Sequence, residues 1–129
     1  MAEAFLRLTV KDRLDALGVA ADRLGRPAHL LEKDVWVVWA IQQLFGSPIG
    51  TNLVFKGGTS LSKAYHVIDR FSEDVDLTFD IRALIPDLAE GREDAMPATS
   101  SEERRWSKRV RQALPEWVAG TIQPILQQA

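Results

Sequence analysis

Residues 74–80 alternate strictly between polar and apolar side chains. The polar set is Asp74, Asp76, Thr78 and Asp80, and the apolar set is Val75, Leu77 and Phe79. Successive side chains on a β-strand point to opposite faces, so this pattern predicts a half-buried strand with an acidic outer face. A β-strand is therefore expected here, although most other segments of the chain have helical patterns.

A glycine turn precedes this acidic segment. Residues 53–55 are predicted to form a short strand, Gly57 and Gly58 to turn the chain, and Thr59 or Ser60 to cap the helix that follows. Because glycine has no Cβ atom, the backbone at this turn can approach an anion closely. The helix N-terminus then presents free N–H groups and a positive dipole end, which suits a phosphate group.

Polar and basic side chains surround the predicted turn. The hydroxyls of Thr59 and Ser60 can donate hydrogen bonds to phosphate, and Lys56 and Lys63 can supply positive charge. Arg70 can also contact a nucleotide phosphate, although an ion pair with a nearby carboxylate is an equal alternative. These side chains, together with Gly57 and Gly58, form the predicted nucleotide-binding set.

Asp74 and Asp76 are the predicted catalytic residues. Two carboxylates at positions i and i+2 of a strand project from one face, about 7 Å apart along the backbone. Their oxygens can converge on two Mg²⁺ ions about 3.5–4 Å apart, the arrangement used for in-line phosphoryl transfer. One ion activates the acceptor hydroxyl, and the other holds the triphosphate and neutralises the leaving pyrophosphate.

Other interpretations of these residues stay open. A lone Gly-Gly is usually a turn, and a lone Asp-x-Asp is often a solvated strand edge, so the prediction depends on the two occurring together in this order. Residues 74–78 also fit the Asp-x-Asp-x-Thr pattern of haloacid-dehalogenase phosphatases. That pattern requires a buried apolar strand before the first aspartate, and residues 69–73, Asp-Arg-Phe-Ser-Glu, do not fit one. A third alternative is a non-catalytic interaction module that retains the fold.

The sequence resembles the polymerase-β-type nucleotidyltransferase superfamily and, within it, the AbiEii/AbiGii toxin family. Three segments carry the resemblance: residues 32–37 (EKDVWV), 55–63 (FKGGTSLSK) and 70–77 (RFSEDVDL). The resemblance implies a helix-rich α+β fold in which a small mixed β-sheet is flanked by helices. It also implies Mg²⁺ and an NTP, with Asp74 and Asp76 as metal ligands and residues 57–60 as the phosphate-contacting turn.

The same resemblance implies a biological role. Members of the family act as toxins of type IV toxin–antitoxin systems or in abortive phage resistance, so a cognate antitoxin encoded nearby is an expected partner. tRNA or another RNA is the expected acceptor of the nucleotide. Such enzymes carry a third carboxylate on a later strand, and no acidic residue after Asp80 lies on a predicted strand. The chain is therefore expected to be the N-terminal part of a longer protein, the alternative being a third ligand from an unusual place in these 129 residues.

A single domain over residues 1–129 is expected, with a helical lead-in (1–50), a catalytic core (51–80), a loop (81–101) and a helical segment (102–129). Thr9 is expected to cap the first long helix, which ends at residues 25–27. A second helix over residues 28–45 is apolar on every side in its middle and is expected to be the central buried helix. Breaks or bends are expected at Pro115 and near Pro124.

The composition and net charge of the chain limit the classes of function that it can have. The 129 residues carry a net charge of −2, which argues against indiscriminate coating of nucleic acid, so any such contact requires a local patch. One basic cluster exists: Arg104, Arg105, Lys108, Arg109 and Arg111. Its default interpretation is a solvated helix face, and RNA phosphate contact is the alternative. Cysteine is absent and no apolar run is long enough to span a membrane, so a cytoplasmic enzyme is expected.

Overall fold

A computed structural model of the chain describes residues 2–56 and 75–129. These residues form a helix-rich structure with a two-stranded antiparallel sheet, which confirms the α+β class. In chain order the elements are α1 (Ala2–Leu6), α2 (Val10–Leu24), α3 (Ala28–Gly46), a 3₁₀ turn (Pro48–Asn52), β1 (Leu53–Lys56), β2 (Asp76–Phe79), α4 (Ile81–Leu84), α5 (Pro86–Ala89), α6 (Ser100–Trp117), a π-helical segment (Val118–Ile122) and α7 (Gln123–Gln128). None of the described helices has the length and apolar content needed to cross a membrane.

The described residues divide into two compact units. The first contains residues 2–42, 55, 56, 75 and 76, and the second contains residues 43–54 and 77–129. The first unit thus holds α1, α2 and most of α3. The second holds the 3₁₀ turn and all elements from α4 onward.

Helix α2 begins and ends where the sequence predicts. The Thr9 hydroxyl accepts a hydrogen bond from the Asp12 N–H at 3.1 Å and donates one to the Asp12 carboxylate at 2.8 Å. At the other end, Gly25 has a φ of 63°, and its N–H donates to the Ala21 carbonyl at 2.9 Å. Glycine adopts this left-handed conformation without the steric cost that a Cβ atom brings, so Gly25 closes the helix.

Helix α3 forms over nearly the predicted range, but it is not the buried central helix that its apolar sequence suggests. Leu44 is the buried residue of α3, and Trp36 remains 46% exposed while its ring meets the edge of Trp39 at a centroid distance of 5.7 Å. The apolar composition of α3 indicates only which of its side chains favour burial. How many neighbouring elements cover them is decided by the tertiary structure.

A tight turn after α3 leads into β1. The Ser47 hydroxyl donates to the Leu44 carbonyl at 2.6 Å, and the Gly50 N–H donates to the Ser47 carbonyl at 3.0 Å. A Cβ atom on residue 50 would lie 2.1 Å from the Phe45 carbonyl oxygen, so this close approach requires glycine.

The segment 81–101, expected to be a loop, contains the short helices α4 and α5. Ile81, Leu84, Ile85 and Leu88 follow one another at helical spacing and pack in the apolar core of the second unit. Ile85 and Ala89 are fully buried there against Trp106 and Ala113 of α6. The loop prediction gave the prolines and small polar residues too much weight, since Pro86 fits without strain in the first turn of α5.

A buried carboxylate ties residues 92–98 to α6. Glu102 is 8% exposed, and it accepts hydrogen bonds from the Arg92 guanidinium and from the Ala98 N–H, the latter at 3.1 Å. The same guanidinium lies 5.7 Å from the ring centroid of Trp106. Thr99 caps the helix, with its hydroxyl accepting from the Glu102 N–H at 3.1 Å. Glu102 therefore fixes both the start of α6 and the segment before it.

Of the break or bend expected at Pro115, the break does not occur, since α6 continues through this residue to Trp117. The hydrogen-bond pattern changes immediately afterwards to a π-helical one over residues 118–122, where the Gln123 N–H donates to the Val118 carbonyl. Proline lacks the N–H that would bond to the preceding turn, and a π-helical segment is one way for a helix to absorb such a defect. Pro124 lies in the first turn of α7, which proline tolerates.

We predict that Glu102→Ala lowers the free energy of unfolding by about 1–3 kcal/mol, because it leaves the Arg92 guanidinium and the Ala98 N–H without their acceptor. Urea denaturation followed by circular dichroism measures the change. Glu103→Ala is the matched control, since Glu103 is an exposed residue in the same first turn. It should change stability by less than about 0.5 kcal/mol. Equal losses in the two variants would contradict a specific anchoring role for Glu102.

Candidate functional site on the exposed face of the β-ribbon

A backbone hydrogen bond next to the sheet defines the register in which β1 and β2 pair. The Asp80 N–H donates to the Asn52 carbonyl at 2.9 Å, just beyond the paired ends of β1 and β2. Both strands have four residues and run antiparallel. This register places Lys56 opposite Asp76 and Val54 opposite Thr78.

The burial pattern shows which face of this ribbon is open. Asp76 and Thr78 are exposed while Leu77 and Phe79 are half-buried, which confirms the predicted alternation over β2. On β1, Val54 and Lys56 are exposed. The face that carries Asp76 is therefore accessible, as a nucleotide or metal site requires.

Lys56 and Asp76 are the two predicted site residues that the structure describes. Directly opposed side chains on an antiparallel pair have Cβ atoms about 4.5–5.5 Å apart, so an ammonium group and a carboxylate share one small region of the exposed face. The two make no ion pair within 4.0 Å, and neither bonds another described side chain. Both charges are therefore available to a ligand.

The remaining predicted site residues lie outside the described residues. They are Gly57, Gly58, Thr59, Ser60, Lys63, Arg70 and Asp74. Their roles at the phosphate and metal sites stay predictions.

Asp80 was expected to extend the acidic face of the strand, but β2 ends at Phe79 and Asp80 caps α4 instead. Its carboxylate accepts from the Arg82 N–H at 2.9 Å and from the Arg82 guanidinium at 2.9–3.2 Å. The side-chain hydrogen bond from Arg82 lowers the pKa of Asp80, and the same bond raises the pKa of Arg82. A carboxylate committed to a guanidinium and a helix N-terminus is a poor metal ligand.

The described residues do not by themselves form a metal site with three ligands. Over residues 2–56 and 75–129, no group of three acidic, histidine or cysteine side chains is arranged to hold a metal ion. Asp76 thus contributes a single exposed carboxylate from this part of the chain. Its hard oxygen donors match the preference of Mg²⁺.

A separate cavity of about 640 Å³ lies in the second unit, beside α6. It is lined by Ile81, Ala95, Met96, Pro97, Glu103, Trp106, Ser107, Val110 and Arg111. Neither of the two described site residues, Lys56 and Asp76, lines it. No sequence pattern indicated this cavity, because part of its wall is formed by the segment 81–101, which was expected to be an open loop.

Comparison with protein families identifies the chain. A sequence model described as "Nucleotidyl transferase AbiEii toxin, Type IV TA system" matches residues 39–128, a range that includes Lys56, Asp76 and the whole of the β-ribbon. The chain belongs to the AbiEii family. Neither a curated protein nor a solved structure matches it at a significant level.

Membership of the AbiEii family confirms the resemblance noted in the sequence. It supports a nucleotidyltransferase toxin of a type IV toxin–antitoxin system, with a nucleotide substrate and an antitoxin partner. It also makes the phosphatase interpretation of Asp74 and Asp76 the weaker one, because the family transfers nucleotides. The matched range starts inside α3, so α1 and α2 lie outside it.

We predict that Asp80→Asn lowers stability at neutral pH by up to about 1 kcal/mol, the scale of a partly exposed ion pair. Asparagine still caps α4 but loses the charge that pairs with Arg82. Because the folded pKa of Asp80 lies below its ordinary value of 3.8, the contribution is complete above that pH and is lost as the pH falls through the lower folded pKa. The stability difference between the wild type and the variant should therefore shrink in acid.

Urea denaturation from pH 7 down to the acid limit of folding measures this difference. Asp22→Asn is the control, since Asp22 is exposed on α2 and has no ion pair with a described residue. A deficit in Asp80→Asn that stays constant across the pH range would show that the charge is not responsible.

Proposed function

We propose that the protein is an Mg²⁺-dependent nucleotidyltransferase that transfers a nucleoside monophosphate from an NTP to an RNA acceptor, with tRNA as the leading acceptor. The observation that carries the proposal is the AbiEii match over residues 39–128 together with the free carboxylate of Asp76 opposite Lys56. Asp76 and Asp74 would hold the metal. Gly57, Gly58, Thr59 and Ser60 would receive the triphosphate, with Lys63 and Arg70 adding positive charge.

The described residues fit an incoming Mg–NTP complex. Asp76 offers a hard oxygen ligand on an exposed face, and bound Mg²⁺ supplies charge neutralisation for the triphosphate and for the developing negative charge in the transition state. Lys56 lies opposite this carboxylate and can draw the triphosphate toward the ribbon as a point charge.

The acceptor hydroxyl would approach on the same exposed face. Catalysis of this kind consists chiefly of positioning and electrostatic stabilisation, because in-line displacement at phosphorus requires little covalent participation by the protein. Asp76 would therefore act by orienting the reacting groups through the metal. Lys56 would act mainly on NTP binding.

The cellular role follows from the family. We propose that the transferase acts in the cytoplasm, where NTPs and tRNA occur, that modification of RNA slows growth during phage infection, and that an antitoxin encoded nearby counteracts it. The family assignment supports the toxin–antitoxin part of this role.

We predict that Asp76→Ala abolishes transfer of label from an α-³²P-NTP to tRNA, by at least about 1000-fold, because the acid that orients the metal is lost. Asp76 is exposed, so the fold should persist with an unchanged circular dichroism spectrum. Lys56→Gln should instead raise the KM for NTP with a smaller effect on kcat.

Thr78→Ala serves as the matched control, since Thr78 lies on the same exposed face of β2 and has no proposed role. It should retain activity close to that of the wild type. Full activity of Asp76→Ala would refute the assignment. A wild-type chain that neither binds Mg–NTP nor transfers label would favour the non-catalytic interaction module.

A further inference from the structure

Three of the five basic residues of α6 form a single stripe on its exposed face. Arg104, Lys108 and Arg111 are spaced i, i+4 and i+7, which places them on one side of the helix over a length of about 10 Å. The buried face of α6, with Glu102, Trp106 and Ala113, lies opposite. We call these three residues the basic stripe.

The basic stripe carries no internal partner. Within the part of the chain that the structure describes, none of its three side chains makes an ion pair or a side-chain hydrogen bond. Arg109 of the same helix differs, since its guanidinium pairs with Asp87 at 3.2 Å. Like charges at i, i+3 and i, i+4 destabilise a helix by a few tenths of a kcal/mol per pair. The repulsion within the stripe therefore lowers the stability of α6, and no ion pair or side-chain hydrogen bond with a described residue offsets that loss.

The side chains around the stripe indicate which partner it suits. Ser100, Ser101 and Ser107 are exposed beside the cations and supply hydroxyl donors. The exposed apolar side chains Leu114 and Val118 lie beyond the stripe, toward the end of the helix. Protein interfaces derive most of their binding energy from buried aromatic and aliphatic anchors. Phosphate backbones, in contrast, can be held by guanidinium, ammonium and hydroxyl groups without an apolar anchor.

The surface is also concave beside the stripe. Arg104 and Arg111 border a depression of about 390 Å³ whose other lining residues are Ser100, Glu103 and Ser107. Two guanidinium groups and two hydroxyls thus face one hollow, with a single carboxylate among them. Because the whole chain carries a net charge of −2, this concentration of cations is a local feature and not a property of the protein surface as a whole.

We propose that the basic stripe binds the phosphate backbone of the RNA acceptor. Arginine offers a planar, bidentate donor set for phosphate oxygens, and lysine adds a point charge between the two guanidinium groups. Binding of this kind is independent of base sequence and positions the RNA without selecting it. The inference rests on the proposed transfer to RNA and assigns a docking surface for that acceptor outside the β-ribbon.

The test measures RNA binding to the full chain without Mg²⁺ or NTP, so that it does not depend on catalysis. The variant Arg104→Gln/Lys108→Gln/Arg111→Gln is compared with the wild type by fluorescence anisotropy, with bulk tRNA as the probe. The variant should bind at least about tenfold more weakly at low salt. The slope of log K against log salt should become shallower by about 2, because each lost phosphate contact removes about 0.7–0.9.

The matched control is Arg7→Gln/Lys11→Gln/Arg23→Gln, which removes the same charge from exposed positions on α2 and just before it. It should leave both affinity and salt slope close to those of the wild type. Equal loss in both triple variants would show a non-specific effect of net charge and overturn the proposal. The stripe variant should also melt at an equal or slightly higher temperature, since two like-charge repulsions are removed.

Two further outcomes test whether RNA is the partner of the basic stripe. Unchanged tRNA binding in the stripe variant would overturn the proposal. It would also be overturned if polyglutamate bound the wild type as tightly as tRNA does and lost as much affinity in the stripe variant, because the partner would then be an acidic protein. The test of the docking surface and the test of the proposed nucleotidyltransferase activity can fail independently of each other. Transfer activity with stripe-independent RNA binding refutes the docking surface alone, whereas stripe-dependent binding without transfer refutes the enzymatic proposal alone.

Discussion

The antiparallel pairing of β1 with β2 determines which side chains share the exposed face of the sheet. Side chains alternate along a strand, so a slip of one residue would turn Asp76 inward and bring Leu77 to the surface. The hydrogen bond from the Asp80 N–H to the Asn52 carbonyl and the half-burial of Leu77 and Phe79 both hold the observed register. The juxtaposition of Lys56 with Asp76 follows from that register alone.

The end of β2 shows how nearby carboxylates acquire different tasks. Asp76 and Asp80 belong to one alternating acidic pattern, yet Asp80 caps α4 and pairs with Arg82, while Asp76 bonds no described side chain. The second unit uses a carboxylate in a third way, since the buried Glu102 organises Arg92, Ala98 and the start of α6. In each case the available donors decide the role, because an acid with fixed donors gains little by binding a metal.

Local signals in the sequence predicted well where short-range interactions decide the outcome. The Thr9 cap, the Gly25 helix end and the alternation in β2 depend on neighbours a few residues away, and the structure contains all three. Predictions that required knowledge of long-range packing were less accurate. The apolar α3 remains partly exposed, and residues 81–89 form two short helices because Ile85 and Ala89 can be buried against Trp106 and Ala113 of α6, about 20 residues away in sequence.

The sequence by itself determined the family, the helix-rich α+β class and the acidic and glycine-rich segments that suggest nucleotide chemistry, because these properties reside in residue types and their spacing. Only the tertiary structure decided that Lys56 faces Asp76, that Asp80 leaves the strand, and that Arg109 pairs with Asp87 while Arg104, Lys108 and Arg111 have no partner among the described residues. Each of these depends on which distant segment lies next to a side chain. Spacing along the chain does not encode that directly.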